Sequence, residues 1–305
     1  MRLAAFDVGT NSTRLLVADV EHGAVVAEHA REMVITRLGK GVDRTGHFDP
    51  AALARTLEVL AAYAGTCRRL GVEQRRLVAT SATRDAADRQ AFLGGVRDLL
   101  GVEAEVLTGQ AEAAAAYRGA TAGLAGGQPT LVVDIGGGST ELILGDGAAG
   151  RAAVSLEIGC VRLFERHLHT DPPTGAEVAA LRKDAAAHLD RGEALDPAAA
   201  QRVVGVAGTV TTLTAIALGL EAYDPRRIHR ATLESSDIAA IAEKLAAMTI
   251  AERAAMPVMA EGREDVIAAG ALLLDELVRR YRIRQVIASE TDILDGVLLG
   301  LAERV

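Results

Sequence analysis

Aromatic side chains are close to absent from this chain. They make up 3% of its 305 residues, and tryptophan is missing altogether. A core without large rings must be filled by Ala, Leu and Val, so thin, closely approaching elements are expected. Cysteine is as scarce, with Cys67 and Cys160 the two in the chain. They form neither a disulfide framework nor a metal-ligand spacing, and their apolar neighbours mark both as buried, reduced thiols. Long apolar runs are lacking too. Val266–Leu274 is too short to cross a bilayer and is bounded by Asp265 and Asp275. Asp7 interrupts the first apolar stretch too early for a signal peptide. A soluble, cytoplasmic protein with no membrane partner is the expectation. Basic charge is in deficit: the formal net charge is −8, which argues against a nonspecific nucleic-acid binder. A polyanionic ligand remains compatible, because a local cluster of Arg and backbone N–H groups outweighs the global sign.

What the chain does contain is a pattern that runs twice. It opens with strands at Leu3–Asp7, Arg14–Val20 and, after His22-Gly23, Ala24–Ala30. Asp49-Pro50 supplies an N-cap and a first-position proline for a helix over Ala51–Leu70. Strand Leu77–Thr80, helix Asp85–Leu100, strand Glu103–Leu107 and helix Ala111–Gly119 follow. Gly123–Gln128 then reads as a flexible boundary, and the pattern restarts with strands Thr130–Asp134, Glu141–Gly145 and Ala152–Ile158. Helices are expected over Cys160–His169, Gly175–Gly192, Thr209–Gly219, Ser236–Ala247, Glu264–Tyr281 and Asp292–Glu303. Short strands at Arg202–Val206 and Gln285–Ala288 separate some of them. Alternation of this kind implies α/β layers, and the restart implies two similar domains.

The restart is sharpest in one motif. Asp7-Val-Gly-Thr-Asn-Ser-Thr-Arg-Leu-Leu-Val17 and Asp134-Ile-Gly-Gly-Gly-Ser-Thr-Glu-Leu-Ile-Leu144 share Asp, Gly, Ser, Thr and Leu without a gap. A strand, a glycine turn and a second strand make a hairpin whose backbone N–H groups point into one concavity, where phosphate oxygens bind. Gly9, Thr10, Asn11 and Ser12 form the first such turn; Gly136, Gly137, Gly138, Ser139 and Thr140 form the second. Asp7 and Asp134 at the strand ends would repel phosphate unless they contact a divalent cation, directly or through water. One such turn is easily a plain connector. Two in register argue for a phosphate chain gripped from both sides.

The doubled hairpin resembles the actin, heat-shock ATPase and sugar-kinase superfamily. Five further stretches are similar to the exopolyphosphatase/guanosine-pentaphosphate phosphatase family: Thr80-Ser-Ala-Thr-Arg-Asp-Ala86, Leu107-Thr-Gly-Gln-Ala-Glu-Ala113, Ile158-Gly-Cys-Val-Arg-Leu163, Val206-Ala-Gly-Thr-Val-Thr-Thr212 and Ser289-Glu-Thr-Asp-Ile-Leu-Asp-Gly296. The resemblance covers Leu3 to about Leu301 and matches the short, two-domain members. It implies two ribonuclease-H-like (actin-like) domains with an interdomain cleft. The first spans 1–122, completed by a C-terminal helix at 292–305, and the second spans 123–291. It also implies Glu112 as the base that activates water, with Glu141 and Asp134 near the catalytic centre. Asp7, Asp134 and Glu141 would manage Mg²⁺ or another divalent cation such as Mn²⁺, with a monovalent cation as a further option. Many relatives carry two acidic residues where this chain has Ala111-Glu112. A homodimer is implied as well.

Further residues are weighed against plainer roles. Arg84 suits bidentate phosphate contact, against an ion pair with Asp85 or Asp88. Arg162 contacts substrate or pairs internally. Gly208-Thr209 opens a helix whose N–H groups favour anions, or is an ordinary cap. Arg14 is structural or lines the cleft rim. The run Arg279–Arg284 guides a polyanion or is a solvated helix end, and His167 and His169 are surface residues. The expected activity is Mg²⁺-dependent release of terminal orthophosphate from inorganic polyphosphate. Its rivals are hydrolysis of guanosine pentaphosphate (pppGpp), a sugar- or acetate-kinase-like transfer, and a non-enzymatic actin-like regulator.

Overall fold

Residues along Leu3–Val8 alternate between two apolar surroundings. Ala4, Phe6 and Val8 join one buried cluster, and Leu3 and Ala5 join another. A strand whose faces are both apolar needs a layer on each side, and both layers are present in the computed structural model. It describes residues 1–124, 126–147 and 149–304. Ala125, within the expected boundary segment, and Val305, the last residue of the expected C-terminal helix, lie outside the described residues.

The strands are β1 (Arg2–Val8), β2 (Ser12–Glu21), β3 (Ala24–Ile35), β4 (Gln74–Ala79), β5 (Ala104–Val106), β6 (Thr130–Ile135), β7 (Thr140–Asp146), β8 (Ala149–Leu156), β9 (Arg202–Val206), β10 (Thr232–Glu234) and β11 (Gln285–Ala288). Helices α1 (Val42–Thr45), α2 (Pro50–Leu70), α3 (Ser81–Asp85), α4 (Gln90–Leu100) and α5 (Gly109–Thr121) come first. Then follow α6 (Cys160–His167), α7 (Gly175–Leu189), α8 (Ala207–Ala217), α9 (Pro225–Ile228), α10 (Ser235–Ala247), α11 (Ile250–Ala254), α12 (Ile267–Arg280) and α13 (Ile293–Ala302).

The chain divides into two units: Met1–Gly119 with Asp292–Val305, and Ala120–Thr291. The first holds a sheet in the order β3-β2-β1-β4-β5, the second a sheet in the order β10-β11-β9-β6-β7-β8. In each, a meander of three antiparallel strands continues into parallel strands, as β1 beside β4 and β6 beside β9. Both sheets therefore have the ribonuclease-H-like arrangement that the family resemblance implies.

In the first unit α2 and α4 supply Leu60, Tyr63, Phe92 and Val96 to one face of the sheet. On the other face α5 contributes Ala116, and α13 contributes Leu294, Val297, Leu298 and Leu301. The scarcity of large side chains shows in how α5 meets α13. A Cβ on Gly296 would lie 1.9 Å from the Ala115 carbonyl oxygen, and one on Gly119 would lie 1.7 Å from that of Asp292. These contacts are backbone on backbone. Gly296→Ala should destabilise the protein by about 1–3 kcal/mol or more, because neither helix has a flexible side chain to move aside; a chemical melt with an unchanged midpoint would refute this.

Two expectations are corrected. Asp85–Leu100 is not one helix: Ala86 is extended, and residues 86–89 are held by the loop before α2. Gly46 O accepts from Ala87 N–H, and Phe48 N–H donates to Asp88 Oδ1. The helix over Glu264–Tyr281 begins three residues later, at Ile267. Cys67 and Cys160 are buried and free, as expected, and burial pushes each thiol up to about 11. Among the described residues no helix is long and apolar enough to cross a membrane.

Candidate active site

Each hairpin is built by the same device. In the first unit Gly9 N–H donates to Ser12 O at 2.9 Å, closing the β1–β2 turn. The Thr10 and Asn11 carbonyls accept from Gly39 N–H and Arg37 N–H, both at 2.8 Å. A trans peptide unit points its N–H opposite to its C=O. Tying off those two carbonyls thus turns the N–H groups of Asn11 and Ser12 the other way. Gly39 is needed for this approach, since a Cβ there would fall 2.3 Å from Thr10 Cγ2. The Thr10 hydroxyl is held 2.8 Å from Ser81 Oγ. Asn11 Oδ1 is buried with no hydrogen-bond partner.

In the second unit Gly136 N–H donates to Ser139 O at 3.0 Å. Here the start of α6 takes the carbonyls. Gly136 O accepts from Cys160 N–H at 3.0 Å, and Gly137 O accepts from Val161 N–H at 2.9 Å and Arg162 N–H at 3.1 Å. Arg162 Nε donates to Gly138 O at 2.9 Å. The N–H groups of Gly137, Gly138 and Ser139 therefore face away from α6, a concavity suited to an anion. Among the described residues the N–H groups of Gly137 and Gly138 have no protein acceptor. A Cβ on Gly159 would lie 2.5 Å from the Gly137 carbonyl, so the glycine before α6 lets the turn seat there. Thr140 donates its hydroxyl to Ile158 O at 2.7 Å, and Arg162 also reaches Glu157 at 3.4 Å. Both of these side chains brace the hairpin.

The two hairpins differ in what stands beside the aspartate. Asp7 lies directly opposite Arg14, whereas Asp134 lies opposite Glu141. Strand alternation puts Asp7 on the Leu3/Ala5 face of β1, towards α13. There Arg14 donates to Asp7 at 2.6 Å and to Asp292, the N-cap of α13. Burial raises the Asp7 carboxyl above its ordinary range, against the pull of Arg14. Arg14 itself is held above its ordinary value: burial opposes its charge, but Asp292 and Asp7 outweigh it. Asp7 Oδ1 is left buried without a hydrogen-bond partner. In the second unit Asp134 and Glu141 are 7% and 1% exposed, and Glu141 accepts from Ser155 Oγ at 2.7 Å. Like charges directly across a ladder destabilise it, and a divalent cation reverses that sign. No group of three or more His, Cys, Asp or Glu among the described residues gathers to hold a metal. Mg²⁺ fits the donor set that is present, since it takes one or two carboxylates and completes its shell with substrate oxygens and water.

Glu112 sits in the first turn of α5, its N–H bonded to Thr108 O at 2.9 Å, and is 7% exposed. Arg84, at the end of α3, donates to Glu112 Oε2 at 2.7 Å and to Leu107 O at 2.9 Å. The ion pair weighed against phosphate contact for Arg84 thus includes Glu112. In the second unit α8 begins at Ala207, whose φ of +66° is strained for a residue with a Cβ. Thr209 is buried against Gly270, and Gly208 lies under a guanidinium the sequence reading missed. Arg263 donates to Gly208 O at 3.2 Å and to Thr212 Oγ1 at 2.9 Å. A single Arg in a polar stretch carries no sequence signal for that position. His167 also departs from a simple surface role, with Nε2 2.8 Å from Asp184.

Comparison of the whole chain with known proteins places it in a family. The model of the Ppx/GppA phosphatase family matches residues 16–305. The chain belongs to that family. It is 45% identical to Exopolyphosphatase 2 of Mycobacterium tuberculosis, covering 99% of this chain and 98% of that protein. It is 30% identical to a bifunctional 3-dehydroquinate synthase/phosphatase of Fusobacterium nucleatum, covering 97% of this chain but 46% of that one. Among solved structures, an exopolyphosphatase-like protein matches with TM-score 0.95 at 37% identity, covering 99% and 98% of the two chains. The Aquifex aeolicus Ppx/GppA family member matches with TM-score 0.81 at 30% identity, covering 100% and 98%. Membership of the family makes the chain a phosphoanhydride hydrolase by class.

Proposed function

We propose that this protein is an exopolyphosphatase, releasing terminal orthophosphate from inorganic polyphosphate. The observation that carries the reading is the unequal pair of hairpins. Both aim backbone N–H groups at an anion, but only the second sets two carboxylates opposite each other. That asymmetry assigns Asp134 and Glu141 to a Mg²⁺ ion, while Asp7 Oδ1, buried without a hydrogen-bond partner, offers an oxygen to a cation at the first hairpin. When bound, the ion neutralises phosphate charge. Glu112 takes the proton from water, and Arg84 keeps that carboxylate oriented. Within each unit the hairpin N–H groups, of Asn11 and Ser12 in the first and of Gly137, Gly138 and Ser139 in the second, offer donors to phosphate oxygens. In this reading Arg162 acts through Gly138, by fixing the hairpin, and Gly208-Thr209 contributes through the backbone of α8. Mn²⁺ can replace Mg²⁺, and a monovalent cation can add to phosphate charge balance. A homodimer is the working state we assign, from the family resemblance, and the cytoplasm is the location we assign, from the early Asp7 and the short apolar runs.

A second reading is hydrolysis of guanosine pentaphosphate by the same residues. It is favoured by 37% identity over 166 residues, 54% of this chain, to the guanosine-5'-triphosphate,3'-diphosphate pyrophosphatase of Vibrio atlanticus. The test is phosphate release with Mg²⁺, and with chelator, from polyphosphates of several lengths, guanosine pentaphosphate and ATP in parallel. Release from polyphosphate, abolished by chelator, is expected. Preference for guanosine pentaphosphate selects the second reading, and release from neither defeats both.

A further inference from the structure

In the second unit β6, β9 and β11 run parallel. The hairpin at 136–139 follows the end of β6, so the residues that begin β9 and β11 gather at the opposite end of the sheet. A cavity of about 650 Å³ opens there. The charged groups lining it are Arg202, Arg282 and Arg284, against one carboxylate, Glu234. We propose that this pocket is a second anion site. It would take the di- or triphosphate group shared by short inorganic polyphosphates and nucleoside phosphates.

The local charge runs against the whole: three arginines and one glutamate line the cavity in a protein of net charge −8. Ion pairing within the basic run Arg279–Arg284 separates two kinds of Arg. Arg279 lies 3.6 Å from Asp275, and Arg280 reaches Asp190 as well as Glu193 at 2.9 Å. Both belong to the last turn of α12, where cations complement the helix dipole. Arg282 and Arg284 lie beyond that turn, and no ion pair to either forms among the described residues. Helix-end electrostatics therefore does not account for them.

Their backbone is fixed even though their side chains are exposed. Ile283 between them is buried and donates its N–H to Val278 O at 2.9 Å, while Arg284 O accepts from Ser235 N–H at 2.8 Å. Arg282 is held at a φ of +56°. Arg202 is steadied by Gln128 Oε1 at 2.6 Å. Arg282 and Arg284 stand two residues apart on fixed backbone and line the same cavity, and a multivalent anion there accepts charge-assisted hydrogen bonds from each fork. The volume falls within the range of small-ligand pockets. This inference goes beyond the proposed activity, and the pocket lies at the opposite end of its sheet from the second hairpin.

Calorimetry on the full chain tests it, in a Glu112→Gln background that slows turnover, with sodium tripolyphosphate, ATP and orthophosphate as probes. Arg282→Asn keeps a residue that tolerates positive φ, and Arg284→Gln keeps a polar side chain while removing the charge. Together they should weaken one binding event for tripolyphosphate or ATP by about tenfold or more, the loss of at least one charged contact. Glu234→Gln should tighten the same event, a gain that misfolding cannot produce. A response to ATP alone identifies the source as a nucleoside phosphate, and a response to tripolyphosphate alone as the inorganic chain. No binding, or binding events indifferent to all three substitutions, overturns the proposal. Arg282→Asn/Arg284→Gln with Glu112 intact should hydrolyse short polyphosphate at the unmodified rate. If the unmodified protein releases no phosphate, the proposed activity fails while the pocket is still tested by binding.

Discussion

Glu112→Gln should lower the kcat for phosphate release by about 10²–10⁴-fold, the usual contribution of a general base, with substrate affinity retained. The amide preserves shape and still accepts a hydrogen bond from Arg84, which lies 2.7 Å from Glu112 in the native pair. What it loses is the ability to take a proton. Arg84→Ala provides the contrast. Removing the guanidinium frees a 7%-exposed carboxylate from its partner, so kcat should fall through misorientation, and any direct phosphate contact should appear as a raised KM. Steady-state kinetics on both variants separates the roles. Undiminished turnover by Glu112→Gln would remove Glu112 from the chemistry and leave its pairing with Arg84 as a brace between α3 and α5.

Arg14→Met should destabilise the protein by about 3 kcal/mol, the lower end of the cost of leaving a buried charge without its partner. Arg14 is 19% exposed, while Asp7 and Asp292 are 6% and 7% exposed at the side chain. Losing the cation thus strands two nearly buried carboxylates beside each other. The thermal midpoint should fall by roughly 6–12 °C. Adding Asp292→Asn to Arg14→Met should recover part of the loss, since one stranded charge is removed. The pH dependence has a definite sign. Burial raises the Asp7 carboxyl above its unfolded value, so the native state keeps that proton to higher pH than the unfolded chain does. Stability is then lost as pH rises from the unfolded value through the raised one. Without Arg14 to pull it down, that window should extend to higher pH. A midpoint unchanged by Arg14→Met would mean that solvent already screens the triad.

Much of this was legible in the residues. The Asp49-Pro50 signal placed the start of α2, and its side chain caps Ala52 N–H as the signal implies. The doubled Asp-x-Gly-x-x-Ser-Thr segment placed both hairpins, because turn chemistry is local: a glycine at the required position and a strand on each side suffice. The helix over Asp85–Leu100 was misread for the complementary reason. Nothing in Ala86–Arg89 breaks a helix by itself; the break is made by hydrogen bonds from residues 46–48. The cationic pocket was half legible, since the run Arg279–Arg284 was visible but Arg202 and Glu234 were too distant in sequence to be joined to it.

The sequence by itself determined the family, the duplicated α/β architecture and the places where the backbone turns towards an anion, all of which follow from near neighbours along the chain. Only the tertiary structure decided which charge answers which. Arg14 faces Asp7 across the ladder and meets Asp292 from the far end of the chain. Arg263 covers Gly208, and Arg84 turns to Glu112. A charged side chain declares its sign in sequence. Its partner is chosen by which strands and helices fold against it, and so is whether a buried carboxylate lies opposite a guanidinium, as Asp7 lies opposite Arg14, or opposite another carboxylate, as Asp134 lies opposite Glu141.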